Sequence, residues 1–280
     1  MPTSTYSQIP TVVRFLRKVM PTSILDVGIG NGKMGFIARD VLDVMLGQKY
    51  RKEDWSVKID GIEIFSDYVQ EHQKAIYDEI FIGDAFEIID TLGNYELIIL
   101  GDVIEHFEKR KALRFMDKCF SHCKDSIIIC IPLGEKWTQS PVFSNRHEEH
   151  LSFWSYEEFE PFITEKELLY FPGLGDYGCF LIRRDDYTHH RIREEADALF
   201  SAGKKNEAIT YMGESLAELP HDRRSEYVLV DLLLRSDRIE EALGRLNLLA
   251  KMFPEDKSVK HYLEAVTEKT GFGKPVNRRV

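Results

Sequence analysis

The sequence predicts an α/β protein, a doubly wound and mostly parallel sheet that is followed by a helical segment. Three observations lead to this fold class. Short apolar runs alternate with amphipathic segments of helix length over residues 1–187. One of these runs, 24–27, passes into the glycine-rich stretch 28–32, which suits the tight turn between a parallel strand and a helix. From residue 188 onward the strand pattern gives way to helical periodicity.

The elements follow in order along the first part of the chain. Strands are predicted at 24–27, 57–62, 80–82, 96–100 and 126–131, and helices near 12–20 and at 32–46, 66–78 and 108–122. Two later apolar runs, 167–170 and 179–183, are separated by proline and glycine, which predicts a closing antiparallel hairpin. A helix at 157–163 is predicted before this hairpin.

The last third of the chain contains an internal repeat. The segment 203–209 resembles 237–243, and Glu207 and Glu241 are 34 residues apart. This period is typical of tetratricopeptide helix pairs. About two repeats are fewer than such arrays need to fold alone. The segment is therefore predicted as a stabilising cap, as a docking surface for a protein, or as a homodimer interface. The predicted domains are 1–187 and 188–280.

Charge and hydropathy exclude some classes of function. The 280-residue chain carries a formal net charge of −10, and residues 1–187 hold 21 basic and 31 acidic side chains. Nucleic-acid binding depends on clustered Lys and Arg, so a nucleic-acid substrate is disfavoured. The chain has no apolar run of membrane-spanning length, and residues 1–10 lack the pattern of a signal peptide. A cytoplasmic protein without membrane contact is predicted.

The four cysteines are predicted to have a structural role and no metal-binding or redox role. Cys119, Cys123, Cys130 and Cys179 form no C-x-x-C pair, and two of them lie in apolar runs. They are predicted to be buried thiols.

The glycine-rich stretch indicates what kind of ligand the protein binds. A dinucleotide fingerprint would require glycine at position 33, where the chain has Lys33. Asp26 precedes the glycines, and its carboxylate would repel a pyrophosphate but attract a cation. S-adenosylmethionine, with its sulfonium and ammonium groups, is a ligand of the required charge.

Four motifs then occur in the order of a known family. The stretch 24–35, Glu63 after the second strand, Asp84 after the third, and 101–107 after the fourth together resemble the class I S-adenosylmethionine-dependent methyltransferases. The resemblance implies that Asp26 and the glycines hold the methionine part, Glu63 the ribose and Asp84 the adenine. The complete cofactor set implied in this way is Asp26, Gly28, Gly30, Asn31, Glu63, Ile64, Asp84, Ala85 and Asp102.

Methyl transfer also requires alignment of the acceptor and a group that takes its proton. His106 is a candidate base, and Asp102, Glu105 and His106 would share one face if a helix began at Asp102. The structural alternative is that Asp102 caps a helix and His106 packs over the cofactor. His150 is a second candidate, because 150–158 resembles a stretch that follows the fifth strand in small-molecule methyltransferases. Ser155 and Glu158 within it also form a predicted capping box.

These residues predict an enzyme that methylates an oxygen of a small molecule or glycan, with no metal. One alternative is a protein methyltransferase whose target docks on the helical repeats. Another is a metal-dependent RNA 3′-terminal 2′-O-methyltransferase, because Asp102, Glu105 and His106 with His147 or His150 resemble the metal motif of that group. That motif begins with Glu where this chain has Asp. A non-catalytic scaffold that binds the cofactor is the remaining alternative.

Overall fold

The computed structural model describes residues 4–142, 145–219 and 222–270. The chain divides into two compact units, Met1–Tyr187 and Thr188–Val280. The first unit contains one seven-stranded sheet with the order β3-β2-β1-β4-β5-β7-β6. Its strands are β1 (Ser23–Val27), β2 (Lys58–Glu63), β3 (Glu79–Ile82), β4 (Tyr95–Gly101), β5 (Cys123–Pro132), β6 (Glu165–Phe171) and β7 (Gly175–Arg183).

The sheet is parallel from β3 to β5, and β7 is antiparallel to both β5 and β6. Because β7 runs against β5, the start of β7 lies beside the end of β5, where Tyr177 pairs with Pro132. The predicted fold class and the predicted hairpin are confirmed.

Helices cover both faces of the sheet. Successive residues of a strand point to opposite faces, and β4 shows this clearly. Ile98 and Leu100 lie in one apolar cluster with Phe115, whereas Leu97 and Ile99 lie in another with Phe15. The helices of this unit are α1 (Ile9–Val19), α2 (Lys33–Arg39), α3 (Glu71–Ile76), α4 (Ala85–Ile88) and α5 (Lys109–Ser121).

Two predicted helices differ from the structure. The segment 66–78 contains a 3₁₀ turn at Ser66–Tyr68 and then only the short α3. The segment 157–163 contains two 3₁₀ turns, Tyr156–Glu158 and Glu160–Phe162, with the predicted capping box of Ser155 and Glu158 at the first. Pro161 has no backbone N–H, which disfavours a continuous α-helix through this segment.

The second unit is helical. Ala208 and Ala242, which are 34 residues apart, are both fully buried in its apolar core. The helix that contains the predicted change of pattern at 188 begins at Arg184. The helices are α6 (Arg184–Ser201), α7 (Lys205–Glu218), α8 (Arg223–Leu234), α9 (Ile239–Met252) and α10 (Lys257–Thr270).

All four cysteines are buried and free, as predicted. Among the helices of the described residues, none has the length and apolar character that crossing a membrane requires.

Candidate active site

A cavity of about 840 Å³ lies at the edge of the sheet where β1, β2 and β4 end. This edge is where open α/β sheets bind ligands, beside the point at which the strand order reverses. The predicted site residues that line it are Asp26, Gly28, Gly30, Asn31, Glu63, Ile64, Asp84, Ala85, Asp102, His106, His147 and His150. Glu105 does not line the cavity and is buried beneath it.

The glycine loop needs its glycines for backbone geometry. Gly28, Gly30 and Gly32 have φ values of 68°, 50° and 80°, in the left-handed region where a side chain is strained. A Cβ atom on Gly28 would also lie 3.0 Å from Cγ2 of Val103. The loop therefore brings bare backbone to the cavity wall.

Asp26 is held in an apolar environment at the end of β1. Its side chain is 2% exposed, and the Tyr77 hydroxyl donates a hydrogen bond to its Oδ2 at 2.5 Å. Burial raises the pKa of Asp26 to about 7, although the Tyr77 hydrogen bond acts in the opposite direction. A cation bound nearby would favour the ionised carboxylate.

Glu63 ties the end of β2 to the glycine loop. The backbone N–H of Gly30 donates to its Oε2 at 3.0 Å, and that of Phe65 donates to its Oε1 at 2.9 Å. Burial raises the pKa of this carboxyl. Its position at the cavity wall is compatible with the predicted contact to a ribose, which stays a prediction.

Asp84 already has a partner on each oxygen. Its Oδ1 accepts the Phe86 N–H and caps α4, while its Oδ2 accepts from Lys111 Nζ at 2.8 Å. A contact with the adenine amino group would use a remaining lone pair, and that contact also stays a prediction.

Asp102 begins an irregular segment and not an α-helix. Its φ of 54° is left-handed, and the residues after it form a 3₁₀ turn at Ile104–His106. The Tyr177 hydroxyl donates to its Oδ1 at 2.8 Å. Burial raises the pKa of this carboxyl. The shared helical face predicted for Asp102, Glu105 and His106 is therefore absent from the structure.

Glu105 is a buried carboxyl whose oxygens accept no hydrogen bond from an N–H group of another described residue, and its side chain lies beside the carboxyl of Asp102. It is 1% exposed. Burial, with the nearby charge of Asp102, raises its pKa well above the ordinary value. Its backbone carbonyl accepts from Leu151 and Ser152, and these bonds hold the chain that follows His150 against this segment.

His106 and His150 lie side by side, with ring centroids 5.0 Å apart. Nδ1 of His106 is 3.0 Å from the carbonyl oxygen of Glu149, and Nδ1 of His150 is 2.6 Å from that of Trp137. Since a carbonyl can only accept, each Nδ1 carries the proton and each Nε2 keeps a free lone pair. Burial lowers the pKa of His106 to about 4, so it takes a proton less readily than an ordinary histidine.

One potential ligand atom from each of Glu105, His106 and His150 lies within 4.8 Å of the others. His147, in the turn Arg146–Glu148, is not part of this group. A carboxylate and two imidazoles, each fixed through its other nitrogen, fit a divalent transition metal. Of the two later histidines in the predicted metal motif, the structure places His150 in this group.

Sequence reasoning did not identify Tyr77 or Lys111. Tyr77 lies 51 residues from Asp26 in sequence, and Lys111 lies 27 residues from Asp84. Neither belongs to a motif with a fixed spacing, so no local signal connects them with the site.

Comparison with known proteins gives one sequence match. A tetratricopeptide-repeat family model matches residues 199–265, which agrees with the predicted repeat and describes the helices of the second unit. A search of curated proteins finds no significant match.

Solved structures of low sequence identity resemble this chain over 62–66% of its length. An O-methyltransferase family protein from Burkholderia thailandensis is 9% identical with a TM-score of 0.40, and the match covers 64% of this chain and 57% of that one. The methyltransferase domain of bacterial CtHen1-C is 18% identical, with a TM-score of 0.40 and coverages of 62% and 96%. Magnesium protoporphyrin IX methyltransferase from Synechocystis PCC 6803, with bound S-adenosylhomocysteine, is 15% identical, with a TM-score of 0.42 and coverages of 66% and 90%. The chain thus spans less than two thirds of the Burkholderia protein, and what these proteins bind or methylate is a property of those proteins alone.

Proposed function

We propose that this protein is an S-adenosylmethionine-dependent methyltransferase that methylates an oxygen of a small molecule or glycan. The observation that carries the proposal is a single cavity in which the glycine loop, Asp26 and Glu63 face two histidines with free Nε2 lone pairs. The first group suits a cationic, ribose-bearing cofactor. The second suits an acceptor that must lose a proton.

The bound cofactor would supply an electrophilic methyl group on a positively charged sulfur. In the transfer, the acceptor oxygen would gain the methyl group, and the sulfur would keep the electron pair of the broken carbon–sulfur bond. The proton of the acceptor hydroxyl passes to a base on the protein. No covalent bond to the enzyme is required, so alignment and proton removal are the contributions of the chain.

We assign the role of base to His150. Both rings present Nε2 as an acceptor, but burial lowers the pKa of His106 to about 4, which makes His106 a poor proton acceptor near neutral pH. The Trp137 carbonyl fixes the orientation of His150 through Nδ1. His106 then packs edge to face against His150 and helps to keep its ring in place.

Calorimetric binding of S-adenosylhomocysteine tests the cofactor site. We expect Glu63→Ala to abolish binding, because the variant loses the carboxylate that ties β2 to Gly30. Glu79→Ala, at the exposed start of β3, is the matched control and should bind like the wild type. Equal binding by the Glu63 variant and the wild type contradicts the site assignment.

Methyl-labelled S-adenosylmethionine with fractionated cell extract tests the acceptor class. Label in a small-molecule or glycan fraction supports the proposal. Label confined to protein supports the alternative in which a target docks on the helical repeats. Cofactor binding without label in any fraction supports the non-catalytic alternative.

A metal-dependent activity is the second candidate, favoured by the buried carboxyl of Glu105 whose potential ligand atom lies within 4.8 Å of those of two imidazoles. Glu105, His106 and His150 would hold the ion. A divalent metal there would polarise the hydroxyl of the acceptor, as in metal-assisted methylation of an RNA 3′ end. The acidic balance of residues 1–187 disfavours RNA. Loss of transfer with EDTA, restored by Mn²⁺ or Zn²⁺, would favour this candidate over the metal-free one.

A further inference from the structure

Buried side chains join the glycine loop to the turn after β2. Gln73 is fully buried, and its Nε2 donates to the carbonyl oxygen of Gly30 at 2.7 Å and to that of Tyr68 at 2.8 Å. Tyr68 is itself 5% exposed. The position of the Tyr68 backbone is therefore tied to the loop that the proposed cofactor would touch.

The Tyr68 hydroxyl reaches a distant part of the chain. Asn145, 77 residues away, donates from Nδ2 to the Tyr68 hydroxyl at 3.2 Å and to Glu148 Oε1 at 3.4 Å. Accepting from Asn145 leaves the phenol proton available for the Glu148 carboxylate. Asn145 is 2% exposed and Glu148 is 8% exposed, so water competes little for these groups.

The same network continues to His150. Gln139 Nε2 donates to the backbone carbonyl of Glu148 at 2.8 Å and to its Oε2 at 3.2 Å. The carbonyl oxygen of Gln139 accepts the backbone N–H of His150 at 3.0 Å. With the bond from His150 Nδ1 to Trp137, this arrangement fixes both the backbone and the ring of His150.

We propose that Tyr68 and Asn145 are positioning residues that couple occupancy of the glycine loop to the placement of His150. This inference rests on the proposed function, in which the glycine loop binds the cofactor and His150 takes the acceptor proton. Leaving some groups of a buried polar network without hydrogen bonds costs free energy, so the groups of such a network tend to be ordered together. A ligand that orders the glycine loop at one end of the network therefore also orders the segment around His150 at the other end. By linkage, an acceptor held at His150 tightens the cofactor by the same factor.

Hydrogen–deuterium exchange tests this coupling without the acceptor. The amides to follow are those of His147, bonded to Asn145 Oδ1, and His150, bonded to the Gln139 carbonyl. In the wild type, we expect saturating S-adenosylhomocysteine to slow exchange of the 145–151 segment by about tenfold, within the range of ordinary coupling free energies.

Tyr68→Phe removes only the hydroxyl. Its affinity for S-adenosylhomocysteine should stay within about threefold of that of the wild type, because the variant loses only a modest coupling free energy. The ligand should no longer slow exchange at 145–151. Tyr170→Phe, on the exposed edge strand β6, is the matched control and should behave as the wild type. Should Tyr68→Phe fold poorly, Asn145→Ser keeps an oxygen that can cap the His147 N–H but is shorter and lacks the amide that donates to Tyr68 and Glu148, and it should show the same loss.

The outcomes separate the two proposals. A wild type that does not bind S-adenosylhomocysteine overturns the proposed function. A wild type that binds it, with equal slowing of exchange in a folded Tyr68 or Asn145 variant, overturns the coupling alone. Slowing in the wild type and its loss in the variant supports the positioning role, because a merely structural change would alter basal exchange and not its response to ligand.

Discussion

The buried carboxyl of Asp26 should make the stability of the ligand-free protein depend on pH. Its pKa rises from an ordinary 3.8 to about 7 on folding, because the side chain is buried. Between these values the folded state keeps a proton that the unfolded state has lost. The free energy of unfolding therefore falls as pH rises from about 4 to about 7 and levels off above that, by about 4 kcal/mol in total.

Asp26→Asn removes the titration and preserves the shape, and the Tyr77 hydroxyl can still donate to the amide oxygen. Urea unfolding of both proteins from pH 4.5 to pH 8 isolates the effect, since other groups titrate in both. We expect the variant to be more stable than the wild type by about 1 kcal/mol at pH 4.5, where the carboxyl of the unfolded chain is already largely ionised, and by about 4 kcal/mol at pH 8. A stability difference that is the same at every pH would refute the reasoning.

Tyr77→Phe provides a second check on the same carboxyl. The hydroxyl of Tyr77 favours the ionised form of Asp26, so its removal should raise the pKa of Asp26 further. The decline in stability should then extend above pH 7. S-adenosylmethionine, as a cation, should bind the wild type more tightly as pH rises through about 7, and Asp26→Asn should lose this dependence.

Three further predictions concern the remainder of the site. His150→Gln should lower turnover strongly and leave the affinity for S-adenosylhomocysteine unchanged, and His106→Gln should lower turnover less. Equal turnover in both variants and the wild type would exclude a histidine base. Gly28→Ala should destabilise the protein by about 1–2 kcal/mol, because it places a Cβ at positive φ and 3.0 Å from Val103, and thermal denaturation measures this. If the metal candidate is right, Zn²⁺ should raise the melting temperature of the wild type but not of Glu105→Gln, since only the wild type offers the carboxylate; no shift in the wild type would count against a metal.

The sequence predicts the sheet well because its signals are local. The strands of the parallel part are short apolar runs, and the glycine loop follows β1 directly. The helical repeat could also be predicted, because the similar segments 203–209 and 237–243 occur 34 residues apart in the sequence. Many of the residues that line the cavity could also be named from motifs, since strand ends of a parallel sheet meet at one edge.

The environment of those residues could not be predicted. The bond between Tyr77 and Asp26 and the packing of His106 on His150 connect positions far apart in sequence. The left-handed backbone at Asp102 replaces the expected helix, and a non-glycine residue gives no local sign of it. Burial, which only the folded structure reveals, is the main cause of the shifted pKa values of Asp26 and His106. The residues of the site could therefore be named from the sequence, but their protonation could not.

The reversal of strand order between β1 and β4 divides the cavity between two stretches of chain. Asp26 and Glu63 are on β1 and β2 and Asp84 follows β3, whereas Asp102 follows β4, His150 lies in the loop after β5 and Tyr177 is on β7. Under the proposed function, most of the donor contacts come from the earlier segment, whereas the proposed base His150 comes from the later one. Substitutions in the later segment would then change which molecule is modified more readily than they change cofactor binding, so divergence among homologous proteins should concentrate there.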